Sequence, residues 1–408
     1  MSPELILLAL VVVTALAFDF TNGFHDTANA MAASIATKAL TPKTAVVLCA
    51  SLNLVGALLS VEVALTVTNA VINLQNPDGT PRAELLADGG DKLLLILLAG
   101  LAGAIIWNLA TWLWGLPSSS SHALFGGLIG ATMAGLGWGG VKWVGDGTKL
   151  DGVVGKVIIP GFMSPVIAMI VAMVGTHFVF KVAASLSERY RRSGFRWGQV
   201  GAASLMSISH GTNDAQKTMG VITLALIASG EWSDTHSVPL WVKLACAVTI
   251  ALGTYLGGWR IIRTMGKGLV EIEPPQGMSA DMSSAAVILA SSQLGFALST
   301  THVATGSILG SGVGRPGAQV RWAVAGRMAS GWLSTLPSAA AVGALMFFIG
   351  NSMGTGWGAA VVVLLLLGAG VYMWLHSRKE PIGHHNVNDE WEDAKTKKDK
   401  AQKNEVAV

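Results

Sequence analysis

The sequence has few charged residues: Asp, Glu, Lys and Arg together make up 12% of its 408 residues, whereas 51% are hydrophobic. Apolar runs recur along nearly the whole chain, and the run at 359–375 contains no charge at all. Such a composition excludes an ordinary soluble domain and predicts an all-α, multi-pass membrane protein. The net charge of +3 is small and dispersed, so the sequence does not predict nucleic-acid binding.

Cysteine is equally scarce. Cys49 and Cys246 lie far apart, and each is embedded in an apolar run. This excludes a disulfide framework and argues against a thiolate metal site, so both are predicted to be small core residues. The first apolar run lacks a basic leading segment, so we do not expect it to be a cleaved signal peptide.

Two polar motifs interrupt the apolar pattern, and each of them occurs twice. The stretches FTNGFHDTANAM (20–31) and SHGTNDAQKTMG (209–220) align at an offset of 188 residues, which superposes Asp26 on Asp214. The stretches PSSSSHALFGGLIG (117–130) and LSTTHVATGSILG (298–310) align at an offset of 180, which superposes His122 on His302. Two unrelated motifs that recur in the same order at nearly one offset indicate an internal duplication.

Loop charges predict that the two copies have opposite orientations. The acidic loop at 68–91 is predicted to lie outside, whereas its counterpart, with Arg260, Arg263 and Lys267, is predicted to lie inside. The turn with Lys38 and Lys43 is predicted inside, and its acidic counterpart outside. The chain therefore has the pattern of two inverted-topology repeats, which is typical of secondary transporters.

The predicted organisation has five parts. They are a first inverted repeat at 1–186, a cytoplasmic basic connector at 187–196, a second inverted repeat at 197–350, an additional transmembrane helix at 351–376 and a polar disordered tail at 377–408. The helices at 4–37 and 197–229 are predicted to be broken near 22–24 and 210–212. The segments 92–137 and 282–313 are either two crossings each or one hairpin each, with the Ser/Thr-His stretch at its tip.

Ionisable residues inside a bilayer usually face a cavity and carry function. Asp26 and Asp214 are therefore candidates to bind a coupling ion or the substrate; the alternative is a structural carboxylate that caps a broken helix. The histidines beside the motifs are candidate protonatable groups, although an intramembrane histidine can also serve only to bond a backbone carbonyl. These histidines are His25, His122, His210 and His302.

The Ser/Thr-His stretches suit an anion. Serine and threonine are frequent N-caps, and a helix that begins there points free N–H groups and the positive end of its dipole into the protein. Two such tips near the membrane midplane predict a site for a small tetrahedral oxyanion; two capped tips without a ligand are the alternative. A carboxylate next to an anion must accept a proton from that anion or hold a cation. Hydrogen phosphate carries a P–OH proton and sulfate at neutral pH does not, so the carboxylates favour phosphate. The candidate phosphate-binding residues are Ser119, Ser120, Ser121, Ser299, Thr300, Thr301, Asn29 and Lys217.

The motifs NGFHDTANA, SHGTNDAQKTMG, PSSSSH and STTH resemble the signatures of the inorganic phosphate transporter family. All four occur in order, and their spelling is most similar to that of the bacterial low-affinity phosphate permeases. The resemblance implies inverted repeats, phosphate binding at the midplane, a homodimer, no cofactor and a location in the cytoplasmic membrane of a bacterium. Sodium-coupled relatives typically have GANDVANA in both copies; Asn29 fits that form and Lys217 departs from it.

We therefore predict a symporter that imports phosphate with protons, because the Lys217 ammonium occupies the place where a sodium ion would sit. Four alternatives stay open: a sulfate or other oxyanion permease, a sodium-coupled phosphate symporter, an intramembrane serine hydrolase and a divalent-metal carrier. A neutral metal–phosphate complex as the transported species would unite the phosphate symporter with the divalent-metal carrier. The identity of any metal is left open.

Overall fold

The computed structural model describes residues 3–64, 67, 71–74, 85, 90–145 and 150–389. This part of the chain is helical, and its only β-type pairings are the isolated bridges Ile72–Val141 and Val270–Val320. Most of the acidic loop at 68–91, on which half of the predicted orientation depends, lies outside the described residues. The all-α membrane architecture predicted from composition is confirmed.

Twelve α-helices can be numbered in the described residues. They are α1 Pro3–Ala36, α2 Pro42–Ala57, α3 Asp91–Leu113, α4 Ser120–Leu136, α5 Ile159–Ala183, α6 Glu188–Ala228, α7 Leu240–Leu256, α8 Trp259–Arg263, α9 Pro274–Gln293, α10 Thr300–Val313, α11 Trp322–Ser352 and α12 Thr355–Ser377. One π-helical turn, Val154–Ile158, leads into α5, and another, Thr264–Gly268, follows α8.

Within the described residues, five helices are long and apolar enough to cross a membrane: α1, α3, α5, α11 and α12. A sixth span results if α7 and the segment Trp259–Gly268, which meet at 60°, form one bent crossing. The helices α5, α11 and α12 expose large apolar side chains such as Phe162, Leu333 and Leu364. An apolar exterior of this kind is suited to contact with lipid.

The helices pack both within each half of the chain and across the two halves. In the first half α3 packs on α4, and in the second half α9 packs on α10. Across the halves, α1 packs on α7 and α2 on α6, while α4 packs on α11 and α10 on α5. Each contact thus has a counterpart, as expected for two copies of one unit that interlock. The inversion of the copies relative to the membrane stays a prediction.

The Ser/Thr-His stretches lie at the tips of two helical hairpins. Helix α3 ends at Leu113 and α4 begins at Ser120, and the two helices pack against each other. Helix α9 ends at Gln293 and α10 begins at Thr300 in the same manner. We call residues 117–122 the first tip and residues 297–302 the second tip.

The predicted breaks near 22–24 and 210–212 are wrong, because α1 and α6 are continuous through both motifs. The glycines there serve close helix crossing instead. A Cβ on Gly23 would overlap the carbonyl oxygen of Ile250 in α7, and a Cβ on Gly211 would overlap that of Asn53 in α2. Small residues at such crossings let the backbones approach closely.

Two further predicted segments are structured in the described residues. Residues 188–196 of the predicted connector form the first turns of α6. The start of the predicted disordered tail is structured: Arg260 donates to the carbonyl oxygens of Ser377 and Glu380, and Val387 is buried. These contacts fix residues 377–389 against the helices, and residues 390–408 lie outside the described part.

Candidate functional site

Both tips present a helix N-terminus to the interior of the protein. The Ser119 hydroxyl accepts from the His122 N–H at 3.1 Å, and the Ser299 hydroxyl accepts from the His302 N–H at 3.2 Å. These N-caps leave the N–H groups of the first two residues of α4 and α10 without a partner inside their helices. The two helix ends therefore combine backbone donors, side-chain hydroxyls and the positive ends of two dipoles.

Asp26, in the middle region of α1, contacts both tips. Its Oδ2 accepts from the Ser120 hydroxyl at 2.5 Å, and its Oδ1 accepts from the Thr301 hydroxyl at 3.4 Å. The neighbouring His25 Nδ1 lies 2.6 Å from the same Oδ1. The first carboxylate is thus held between one tip of each half.

Asn29 lies one turn after Asp26 and faces the second tip. Its side-chain Nδ2 donates to the hydroxyls of Thr300 and Thr301, at 3.1 Å each. Its Oδ1 is buried and has no hydrogen-bond partner among the described residues. A neutral amide oxygen without a partner is available to a cation or to a proton donor of the substrate.

Asp214, the counterpart of Asp26 in α6, has a more positive environment. Its Oδ2 lies 2.9 Å from His210 Nε2 and accepts from the Thr300 hydroxyl at 3.0 Å. Its Oδ1 forms an ion pair with Lys217, one helical turn onward. The second carboxylate is therefore paired with a fixed positive charge, which the first one lacks.

Lys217 links the second carboxylate to the first tip. Besides Asp214, its ammonium donates to the Ser121 hydroxyl at 2.6 Å and to the Leu298 carbonyl oxygen at 3.0 Å. The side chain is 1% exposed, so these three acceptors replace water around a buried charge. The ammonium thus lies where the two tips and Asp214 meet.

The two halves bring their ionisable groups together in one buried cluster. Ligand atoms of Asp26, His210 and Asp214 all lie within 4.8 Å of one another, so these side chains could hold a cation. We call these three residues and Lys217 the carboxylate cluster. The candidate hydroxyl residues, Asn29 and the cluster are all at most 4% exposed, so the site is closed in this arrangement.

His122 and His302 lie apart from that cluster, although the sequence grouped all four histidines. Their rings stack on each other with centroids 4.8 Å apart, and the His302 ring also packs on Trp332. His122 Nδ1 contacts the Ser119 hydroxyl at 2.8 Å, and His302 Nδ1 contacts the Gly161 carbonyl oxygen at 3.0 Å. Both rings line a mostly apolar cavity of about 440 Å³ between α5 and α11.

Several neighbours of the site were not selected from the sequence. Ser118 and Thr111 lie 3.4 and 3.3 Å from His25 Nε2, and Asn53 Oδ1 lies 3.2 Å from His210 Nδ1. Thr111 and Asn53 are among the few uncharged polar residues of the apolar helices α3 and α2, a pattern that could have indicated them. Asp19 accepts from the Thr218 hydroxyl at 3.0 Å and lies on the same α1–α6 seam.

Comparison with known proteins identifies the family of the chain. The profile described as the Phosphate transporter family matches residues 22–193 and 179–343. A probable low-affinity inorganic phosphate transporter of Mycobacterium tuberculosis is 56% identical over 393 residues, which cover 96% of this chain and 89% of the relative. A protein of the same description from Bacillus subtilis is 41% identical over 347 residues, covering 85% and 98%.

A solved structure, titled the sodium-dependent phosphate transporter, matches with a TM-score of 0.70 and 21% sequence identity. The match covers 84% of this chain and 98% of that one. At this level of identity the likeness establishes the shared fold.

Proposed function

The chain belongs to the phosphate transporter family, and we propose that it is a secondary symporter that imports inorganic phosphate together with protons. Members of this family are transporters rather than enzymes, so the serine-hydrolase alternative is set aside. The observation that carries the proposal is the position of the Lys217 ammonium between Asp214 and the hydroxyl of Ser121.

Phosphate suits the donors and acceptors of the two tips. The hydroxyls of Ser120, Ser121, Thr300 and Thr301 and the adjacent helix N-termini supply donors to phosphate oxygens. Asp26 is an acceptor, and it would repel an anion that carries no proton. Hydrogen phosphate has a P–OH group that can donate to Asp26, whereas sulfate at neutral pH has none. We therefore propose that Asp26 selects phosphate over sulfate.

Proton coupling follows from the asymmetry of the two halves. Lys217 already provides one cation next to Asp214, and a second mobile cation at that point would be repelled. Each carboxylate also has an imidazole in contact with it: His25 beside Asp26 and His210 beside Asp214. An imidazole ring nitrogen can bind a proton, so we propose that these two rings accept the protons that accompany phosphate.

A metal–phosphate complex is a second candidate for the transported species. Carboxylate oxygens and an imidazole nitrogen are ligands that a divalent cation accepts. Such atoms lie close together in Asp26, His210 and Asp214. In that case the metal would enter as cargo with the phosphate and leave with it. Uptake that requires Mg²⁺, and labelled phosphate that is accompanied by a stoichiometric amount of metal, would favour this species over the free anion.

The proposal is tested by uptake of labelled phosphate into proteoliposomes that contain the purified protein. We expect an inward proton gradient to drive accumulation, and we expect no change when choline replaces sodium at constant pH. Loss of uptake in choline would show sodium coupling and refute the proton assignment while leaving the phosphate assignment intact.

Competition experiments in the same vesicles test the substrate. Arsenate, which shares the protonated tetrahedral form, should compete with phosphate, and sulfate should not. Equal competition by sulfate at neutral pH would remove the argument from the P–OH group and favour a general oxyanion permease.

We also propose a homodimer in the cytoplasmic membrane of a bacterium. The bacterial origin of the similar proteins and the apolar exterior of α5, α11 and α12 support this location. The oligomeric state is tested by the mass of the protein–detergent complex from light scattering, for which a monomer mass would contradict the dimer.

A further inference from the structure

A third buried carboxylate lies away from the carboxylate cluster. Asp281 is in α9, one of the helices of the second hairpin, and is only 4% exposed. Its Oδ2 has no hydrogen-bond partner, and no ion pair reaches the carboxylate among the residues that the structure describes. Ionisable side chains inside a membrane protein are costly and are usually functional, which makes an isolated one informative.

The position of Asp281 along α9 can be fixed from the contacts on either side of it. Before it, Gly277 lies directly against the side chain of Gln199 in α6. After it, Ser292 accepts from Asn213 Nδ2, also in α6, at 3.0 Å. Positions 277, 281, 284, 288 and 292 follow one another at three- and four-residue spacing, so they share one helix face. Asp281 therefore lies on the α6–α9 seam between these two contacts.

The same seam contains other polar atoms without partners. Gln199 Nε2, toward the start of α6, and Asn213 Oδ1, beside Asp214, are both buried and lack hydrogen bonds within the described part of the chain. Together with Asp281 Oδ2 they form a row that leads from the beginning of α6 to the carboxylate cluster. Water that entered this seam could bond to all three atoms.

No charged group faces Asp281 from the helices packed against α9, which are α5, α6, α10 and α1. His210 and Lys217 are bound to Asp214, His302 contacts Gly161, and His25 and Asp26 contact each other. The titratable side chains that the structure describes on these helices are Glu4, Asp19, His25, Asp26, His177, Lys181, Glu188, Arg196, His210, Asp214, Lys217 and His302. An ionised carboxylate at Asp281 would therefore have no countercharge and little contact with water, so burial favours the protonated form in this closed arrangement.

We propose that Asp281 is a proton-release site that becomes hydrated when the α6–α9 seam opens. In the proposed orientation, α9 begins next to the basic loop at 260–267, so Asp281 lies on the cytoplasmic side of the carboxylate cluster. Opening of the seam to the cytoplasm admits water, the Asp281 O–H bond breaks and the proton leaves to that water. Before the seam closes, the carboxylate regains a proton that entered with phosphate and that passes from the imidazoles of His25 and His210 through water in the seam. This role rests on the proposed function as a proton-coupled phosphate transporter.

The experiment compares net uptake with exchange in proteoliposomes. Net uptake of labelled phosphate is driven by an imposed proton gradient, and exchange swaps external labelled for internal unlabelled phosphate at equal pH. Asp281→Asn mimics the protonated side chain permanently. We expect the variant to lose net uptake to the background level and to retain exchange, because exchange needs no release of the proton. Asp281→Glu should recover part of the net uptake, and Ser283→Ala, a buried neighbour on α9, should match the wild type.

Three results would overturn the role of Asp281. The first is wild-type net uptake by Asp281→Asn. The second is loss of net uptake and exchange together in a variant that keeps the wild-type melting temperature, which would indicate a role in phosphate binding or packing. The third is a wild-type protein that exchanges phosphate but does not respond to a proton gradient, which would reject proton coupling itself. Wild-type vesicles without any phosphate uptake would reject the proposed function.

Discussion

The Lys217→Gln substitution tests the central feature of the site, the positive charge that links Asp214 to the first tip. The ammonium is buried and donates to Asp214, to Ser121 and to the Leu298 carbonyl oxygen. Glutamine can still donate hydrogen bonds, but it has no charge and is one atom shorter than lysine. The change would leave Asp214 with His210 and Thr300 as its remaining partners.

The structure predicts two separate losses. Removal of one partner of a buried ion pair typically costs about 3–5 kcal/mol of stability, because the other charge stays buried without compensation. If the ammonium also binds phosphate, one hydrogen bond to a charged group is lost, which is worth about 1.5–3 kcal/mol. The second loss corresponds to a roughly ten- to hundredfold weaker affinity for phosphate.

A double variant separates these effects. In Asp214→Asn/Lys217→Gln no unpaired charge remains, so we expect the melting temperature to recover most of the loss seen for Lys217→Gln. Phosphate uptake should not recover, because the positive charge toward the first tip is still missing. Lys43→Gln, an exposed lysine in the first turn of α2, is the matched control and should leave both properties unchanged.

Thermal melting of the purified protein and the concentration dependence of phosphate uptake give the two readouts. Wild-type affinity in Lys217→Gln, with only a lower melting temperature, would show that the ammonium serves the ion pair alone. The argument that it replaces a coupling sodium ion would then lose its basis, and sodium dependence of the single variant would have to be examined next.

The remaining predictions concern the first carboxylate, the first tip and a helix crossing. Asp26→Asn should reduce phosphate uptake to background without changing the gel-filtration profile, because the acceptor for the P–OH group loses its charge; normal uptake would make this carboxylate structural. Ser121→Ala should raise the half-saturating phosphate concentration by less than Lys217→Gln does, since the backbone N–H groups of α4 stay in place. Gly211→Ala should lower the free energy of unfolding by about 1–3 kcal/mol, because its Cβ overlaps the Asn53 carbonyl oxygen. Gly201→Ala on the same helix has open space around it, so its melting temperature should stay at or above that of the wild type.

The sequence is sufficient to predict the part of the site that comes from the duplicated motifs. A duplicated Asp motif and a duplicated Ser/Thr-His motif predict that four separate segments meet in one place, and the structure brings Asp26, Asp214 and both tips together. Loop charge does not distinguish one hairpin from two crossings at 92–137 and 282–313, because its parity is the same for both. The structure adds that α3 packs on α4, and α9 on α10, with a Ser/Thr-His stretch between the helices of each pair.

The wrong predictions are those in which a local sequence pattern is explained by packing between distant segments of the chain. Asn22-Gly23 and His210-Gly211 look like helix breaks, since glycine weakens a helix and polar residues oppose burial. In the fold these glycines permit the contacts of α1 with α7 and of α6 with α2, and packing outweighs the low helix propensity. Likewise the sequence could not show that His122 and His302 stack on each other, because a motif gives proximity along the chain and not the direction of a ring.

The asymmetry between the copies bears on which ion accompanies phosphate in the proposed mechanism. With neutral imidazoles, the two carboxylates and Lys217 leave the carboxylate cluster with one net negative charge, and a phosphate anion adds at least one more. A buried site holds such an excess poorly without compensation, and for this reason we propose that phosphate enters together with positive charge. In a symmetric site the second copy of Asn29 would supply another neutral oxygen ligand, and both halves could bind a mobile cation. Lys217 fills that position with a fixed charge, which leaves the histidines in contact with the two carboxylates as the groups that can take up the missing charge as protons.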